Sequence, residues 1–295
     1  MAVNDLDIVP NEGVCMSVLN AAARHGVPDL ATDVLRVLKL LGVVWEEYHF
    51  AALIEAFCRN NQLKEALITL HIMRTNEILP LPGTLVPILD CVKADVESLD
   101  SAWAIVDEIH ETKSGVDIDA LKVIIHASVL LGDLQRAVGV YKSFCDYGLE
   151  PDVIIFNLLL DGCIAAQHRQ LGDLLLADMK EIKVQPNQET YERMIRLCLT
   201  QEVYEDAFYY LEEMKAAKFV PPQTVYEALV LKCHSMNDTR MDIALEEMRE
   251  CGYTMLNPTN LKANRPSSIG EPEKIRSPGL DEKTLEYIRT GGTSS

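Results

Sequence analysis

The chain has no apolar run of about 18 residues, because charges interrupt every long stretch, and this excludes an ordinary transmembrane helix. Aromatic residues are scarce, at 6%, within a hydrophobic total of 48%. A core built from Leu, Val, Ile, Ala and Met suits packed helices better than a β-sandwich. None of the eight cysteines, Cys15, Cys58, Cys91, Cys145, Cys163, Cys198, Cys233 and Cys251, forms a C-x-x-C pair, which removes the usual zinc and dithiol motifs. They read as reduced thiols, and a reducing compartment fits them better than a disulfide framework. There is no glycine-rich phosphate loop and no G-x-S-x-G elbow. The acid pairs Glu212-Glu213 and Glu246-Glu247 are adjacent in the chain, so on a helix they point about 100° apart and do not converge on a substrate. His234, Ser235 and Asp238 form a turn cluster without a nucleophile elbow. The expectation is a non-catalytic protein with no metal, no cofactor and no small-molecule substrate. The first thirteen residues carry Asp5, Asp7 and Glu12 but no Lys or Arg, unlike a secretory or transit peptide.

What the sequence does have is a repeat. Segments beginning at Gly148, Lys183 and Lys218 lie 35 residues apart and share three columns. Proline recurs as Pro151, Pro186 and Pro221, an aromatic as Phe156, Tyr191 and Tyr226, and cysteine as Cys163, Cys198 and Cys233. Extended backwards, the register gives units at 12–46, 47–81, 82–117, 118–152, 153–187, 188–222 and 223–257. A small residue recurs near the twentieth position (Ala31, Ala66, Ala102, Ala137, Gly172, Ala207) and a bulky one near the twenty-seventh (Leu38, Met73, Ile109, Phe144, Met179, Met214). The seventh unit slips by about one residue, to Met241 and Met248. Phe156, Leu159, Leu160 and Cys163 follow the i, i+3, i+4, i+7 stripe of a helix, and Leu171, Leu174, Leu175 and Met179 give a second. One helix pair cannot bury its stripe alone, so neighbours must stack. The fold class expected is all-α, an α-solenoid of about seven helix–turn–helix repeats. On this register Cys58, Cys163, Cys198 and Cys233 are core residues, not metal ligands.

These columns resemble the pentatricopeptide repeat family in its plain 35-residue form. The residues that carry the likeness are Phe156; Leu134 with Ala137 and Leu63 with Ala66; Met73, Met179 and Met214; and Gly148 followed by Pro151-Asp152. The likeness covers 246 of 295 residues. It implies a right-handed superhelix and a single-stranded RNA partner held in the concave groove, one base per repeat. It also implies a role in organelle RNA processing, stability or translation, in mitochondria ahead of chloroplast or cytoplasm. In that family the fifth and last residues of a repeat read the base and the second packs on it. Here those pairs are Met16 with Glu46, Ala51 with Leu81, Val86 with Asp117, Lys122 with Asp152, Asn157 with Asn187, Glu192 with Pro222, and Glu227 with Asn257. Asn157 with Asn187 resembles a pyrimidine-preferring pair, with Ile154 beside it. Lys122 with Asp152 is a further candidate, although lysine lacks the paired donor and acceptor of asparagine. The other five depart from the family's pattern.

A net charge of −18 runs against nucleic-acid binding unless the charge is segregated. First helices sum to about −2, and about −15 falls on second helices and linkers, six of it between Asp95 and Asp117. The groove is therefore expected to be near neutral and the outer face acidic. That leaves a second expectation, a protein-interaction scaffold docking basic proteins of an organelle ribonucleoprotein through the groove or the acidic face. Pro10-Asn11 looks like the end of a preceding repeat, so residues 1–11 read as its remnant and the N-terminus as incomplete. Residues 258–295, rich in Asn, Pro, Ser and Gly, read as a disordered tail, with Leu280 to Arg289 able to form a helical turn.

Overall fold

A computed structural model describes residues 10–254. The remnant reading of 1–9, the position of Asn257 and the expected tail therefore lie outside the described residues. Fourteen α-helices are present, with no strand among the described residues. They come in seven pairs: α1 (Glu12–His25) with α2 (Pro28–Leu40), α3 (Glu47–Arg59) with α4 (Leu63–Thr75), α5 (Pro82–Val92) with α6 (Val96–Glu111), and α7 (Ile118–Leu130) with α8 (Leu134–Lys142). The series continues with α9 (Val153–Ala165) and α10 (Arg169–Glu181), α11 (Gln188–Leu199) and α12 (Asp206–Ala216), and α13 (Gln223–Met236) and α14 (Arg240–Glu250).

The chain divides into two compact units, the first holding α1 to α7 and most of α8, the second α9 to α14. Within the first, α1 packs on α2 and α3, α3 on α4 and α5, and α5 on α6 and α7. Within the second, α9 packs on α10 and α11, α11 on α12 and α13, and α13 on α14. The helices α1, α3, α5, α9 and α11 thus each lie against their own partner and the next odd-numbered helix, which is the stacking that an amphipathic pair requires.

The recurring columns occupy the core. Ala31, Ala66, Ala102, Ala137 and Ala207 are fully buried, as are Leu38, Met73, Met179 and Met214, with Ile109 and Phe144 nearly so. In the seventh pair the buried residues are Ala244 and Met248, while Met241 stays partly exposed. The bulky column has a second role in the backbone. The carbonyls of Leu38, Met73, Ile109, Phe144, Met179, Met214 and Met248 each accept an N–H from five residues on, at 2.9–3.2 Å. That bond closes a Schellman turn, and it needs a left-handed residue just before the donor. Gly42, Glu77, Lys113, Gly148, Lys183, Lys218 and Gly252 supply it with φ between 54° and 80°. The second helix of the fourth pair ends early, at Lys142, and residues 143–148 continue as turns.

The small column also differs in what it faces. A Cβ on Gly172 would lie 2.2 Å from Leu197 Cδ2 and 3.5 Å from Leu160 Cδ2. The tightest approach is therefore to the first helix of the following repeat rather than to the helix's own partner.

Candidate nucleic-acid interface

The N-terminal turns of the first helices hold every candidate reading residue. Their geometry begins with the last residue of each repeat, which is the N-cap of the next first helix: Glu46, Leu81, Asp117, Asp152, Asn187 and Pro222. A helix start leaves backbone N–H groups without intrahelical acceptors, and a short polar side chain at this point satisfies one or two of them. Asp152 accepts the N–H groups of Ile154 and Ile155, both at 3.1 Å. Asp117 accepts the N–H of Asp119 at 2.9 Å. Asn187 Oδ1 accepts the N–H of Thr190 at 2.9 Å, and Thr190 Oγ1 accepts the N–H of Asn187 at 3.2 Å. Helix capping alone therefore accounts for Asp and Asn at this column.

Asn157 and Asn187 are brought together: Asn157 Nδ2 donates to Asn187 Oδ1 at 3.2 Å, across α9 and α11. The Thr190 hydroxyl donates to Asn157 Oδ1 at 2.8 Å, so both polar atoms of the Asn157 amide have partners within the chain. Asn157 is only 2% exposed, whereas Ile154 is 51% exposed. To hydrogen-bond a base, the Asn157 amide has to exchange the Asn187 and Thr190 contacts for base contacts.

Lys122 is held near Asp119, with Nζ 3.0 Å from Oδ1. Asp119 and the fully buried carboxylate of Asp117 also meet Arg74, at 2.6 Å each, in a bridge from α4 to the start of α7. These contacts raise the Arg74 pKa, the Asp117 hydrogen bond first among them. In the second unit Arg193, on α11, bonds Asp161 of α9 at 3.0 Å and Glu189 at 3.1 Å. Arg59, Lys122 and Arg193 on the first helices are thus engaged by carboxylates and Lys232 by the Gln201 carbonyl, whereas Arg24 on α1 and Arg196 on α11 are exposed.

Three contributors were not singled out by sequence. Tyr48, at the second position of its repeat, is 46% exposed and stacks on His49 with ring centroids 4.3 Å apart. It presents an exposed aromatic face at the start of a first helix. Thr190 is the clasp between repeats, and the signal for it was the N-x-x-T spacing after a cap. Arg74 lies 43 residues before its partner Asp117, a separation that no local pattern reveals. His49 is buried, and burial lowers its pKa; its Nδ1 accepts the N–H of Glu46 at 2.9 Å. The columnar cysteines are buried, and desolvation raises Cys198 to about 12 even with the Arg169 guanidinium 2.8 Å away. Among the described residues no group of three or more His, Cys, Asp or Glu is placed to hold a metal, and no helix is long and apolar enough to cross a membrane.

Two family models match the chain. One, for a pentatricopeptide repeat-containing protein, covers residues 12–144, and the other, for a pentatricopeptide repeat domain, covers 174–235. A pentatricopeptide repeat-containing protein of Arabidopsis thaliana is 31% identical over 80 residues, 26% of this chain and 14% of its own length. A second from the same plant is 20% identical over 192 residues, 63% of this chain and 28% of its own. The mitochondrial 15S rRNA processing factor ppr3 of Schizosaccharomyces japonicus is 27% identical over 90 residues, 30% of this chain and 13% of its own. The chain therefore spans less than a third of the length of each of these relatives. Among solved structures, the pentatricopeptide repeat protein PPR10 in complex with an 18-nt psaJ RNA element aligns with 99% of this chain and 47% of its own, at 17% identity and TM-score 0.47. The repeat domain of Arabidopsis thaliana protein-only RNase P 1 in complex with tRNA aligns with 61% of this chain and 94% of its own, at 15% identity and TM-score 0.49.

Proposed function

The chain belongs to the pentatricopeptide repeat family, and from that premise we propose that it is a non-catalytic, single-stranded RNA-binding protein of organelle RNA processing, stability or translation. The observation that carries the reading is the meeting of Asn157 and Asn187 at 3.2 Å, which places a fifth-position and a last-position side chain side by side on successive first helices. Ile154, exposed beside them, is positioned to pack on a base, and Tyr48 offers a stacking face three repeats earlier. Lys122 and Asp152 stand at the equivalent positions of the preceding repeat. A mitochondrial site of action is supported by the ribosomal RNA processing factor among its relatives.

Binding of labelled single-stranded oligonucleotides, followed by fluorescence anisotropy against salt, tests this. Each phosphate contact contributes a slope of about −0.7 in log K against log salt. With most cations near the first helices already paired, a shallow slope of about −1 to −2 is expected, with pyrimidine oligomers bound more tightly than purine ones. Asn157→Ala is expected to remove about 1–3 kcal/mol of that base preference while leaving the common, sequence-independent part. No binding at about 50 mM salt, or binding without a salt slope, overturns the proposal.

A second reading has its own observation. Helix α6 and its cap expose Asp95, Glu97, Asp100, Asp107, Glu108 and Glu111 on one element. Such a face fits a basic protein of an organelle ribonucleoprotein, with the chain acting as a scaffold. Affinity capture with and without ribonuclease separates the two: partners lost on digestion favour RNA, and basic partners retained favour the scaffold.

A further inference from the structure

Cys58 and Cys91 occupy unlike places in their repeats, the twelfth and the tenth, and stand 33 residues apart in the chain. The packing of α3 against α5 brings them together. The Cys91 thiol donates to the Cys58 backbone carbonyl at 3.7 Å, which sets its sulfur against the Cys58 residue itself. Cys58 is buried and Cys91 is partly exposed. Both line an open cleft of about 550 Å³, with Glu55, Arg59, Val86 and Asp90 around them. Two cysteines placed side by side on one cleft, one covered and one partly exposed, can serve as an attacking and a resolving pair.

We propose that Cys58 and Cys91 are a redox-active thiol pair that closes to a disulfide between the second and third repeats. Cys91 is partly exposed on the cleft while Cys58 is covered, so the Cys91 sulfur, as its thiolate, is the one a hydroperoxide reaches first. It attacks one oxygen of a hydroperoxide; the O–O bond breaks, the alkoxide or hydroxide leaves and takes up a proton, and Cys91 becomes a sulfenic acid. The Cys58 sulfur then attacks the Cys91 sulfur, the S–S bond forms, and water leaves carrying the Cys58 proton. In total two thiols lose two electrons and two protons, and the hydroperoxide is reduced to an alcohol (or water) plus water. A dithiol reductant reverses the bond. Val86, the fifth residue of its repeat, lines the same cleft, so the closed pair would fasten α3 to α5 beside a candidate reading position.

Treatment of the full chain with hydrogen peroxide, trapping with N-ethylmaleimide and peptide mapping without reductant tests the pair. The expected product is a cross-linked peptide joining Cys58 to Cys91, lost on dithiothreitol treatment and absent from Cys91→Ser. It should persist when the exposed Cys145 and Cys251 are both replaced by serine. Oxidation that ends at Cys91 as a sulfinic acid, disulfides that involve Cys145 or Cys251 instead, or full labelling of both thiols after peroxide overturns the proposal. The wild-type map decides by itself should Cys91→Ser fail to fold.

Discussion

Asn157 serves two purposes that pull against each other. Its amide joins α9 to α11 through Asn187 and Thr190, and it is also the residue that the family pattern assigns to a base. Removing it takes one partner each from the buried Thr190 hydroxyl and the Asn187 amide oxygen, which keep their contact with each other at 2.9 Å and their backbone N–H donors, and leaves a gap between the helices. Asn157→Ala should therefore cost about 1–3 kcal/mol in urea unfolding of the free protein, and a Thr190→Val double-mutant cycle should show coupling. Additive losses in that cycle would sink the idea of a clasp. Arg74 is a second such residue: Arg74→Ala leaves the buried Asp117 carboxylate without its main cation, and a loss of about 2–3 kcal/mol is expected after allowance for Arg74's own partial exposure. His49 gives a pH dependence with a definite sign. Burial depresses its folded-state pKa, so its contribution to stability is complete above the ordinary histidine value of about 6.5 and declines as pH falls below it. His49→Gln keeps a side chain that can reach back to the Glu46 N–H. The difference in unfolding free energy between wild type and His49→Gln should shift against the wild type from pH 7 to pH 5; an unchanged difference would remove His49 as the cause.

At the scale of the helix pair, the sequence was most informative where the same chemical demand recurs. Every second helix must end and every stripe must be covered, so Leu38, Met73, Phe144, Met179 and Met214 recur in 35-residue steps, with one extra residue in the third repeat, and are all buried. The single stripe of Phe156, Leu159, Leu160 and Cys163 was legible for the same reason, and all four are core residues. The choice of neighbour was not legible, because it depends on side chains one repeat away. Periodicity placed Gly172 in the small column, but only the packing shows that Leu197 fills the space a Cβ would take. Gly172→Ala should therefore destabilise by overpacking, at about 1–3 kcal/mol, despite the ~1 kcal/mol that alanine gains in a helix. Adding Leu197→Ala should recover part of that loss. At the candidate interface the resemblance named Asn157 and Asn187 as a pair, but their contact and the engagement of Asn157 by Thr190 arise from two helices meeting, which no local pattern encodes. The turns allow one further test. Lys183 holds φ 65° with a Cβ, so Lys183→Gly should raise the unfolding midpoint by an amount equivalent to about 1 kcal/mol, with the denaturant slope unchanged.

At the largest scale, within each of the two units the contacts follow chain order, α1, α3, α5, α9 and α11 each touching their partner and the next first helix. Stability in such an array is carried by nearest neighbours. Hydrogen exchange of Gly172→Ala should show protection falling across 153–216 and unchanged across 12–75; a uniform fall would contradict a nearest-neighbour account. The acidic total of −18 has a molecular consequence too, since long-range attraction for RNA is weak and any selectivity must come from short-range contacts. The position that closes one repeat and caps the next helix also limits how such a protein can be re-targeted. On the proposed reading, a designer who rewrites Asp152 or Asn187 to favour another base is choosing a helix start with the same substitution. Keeping a side-chain cap there confines the choice chiefly to Asn, Asp, Ser and Thr, and going beyond them means a start like those at Leu81 and Pro222, which have no side-chain cap bond.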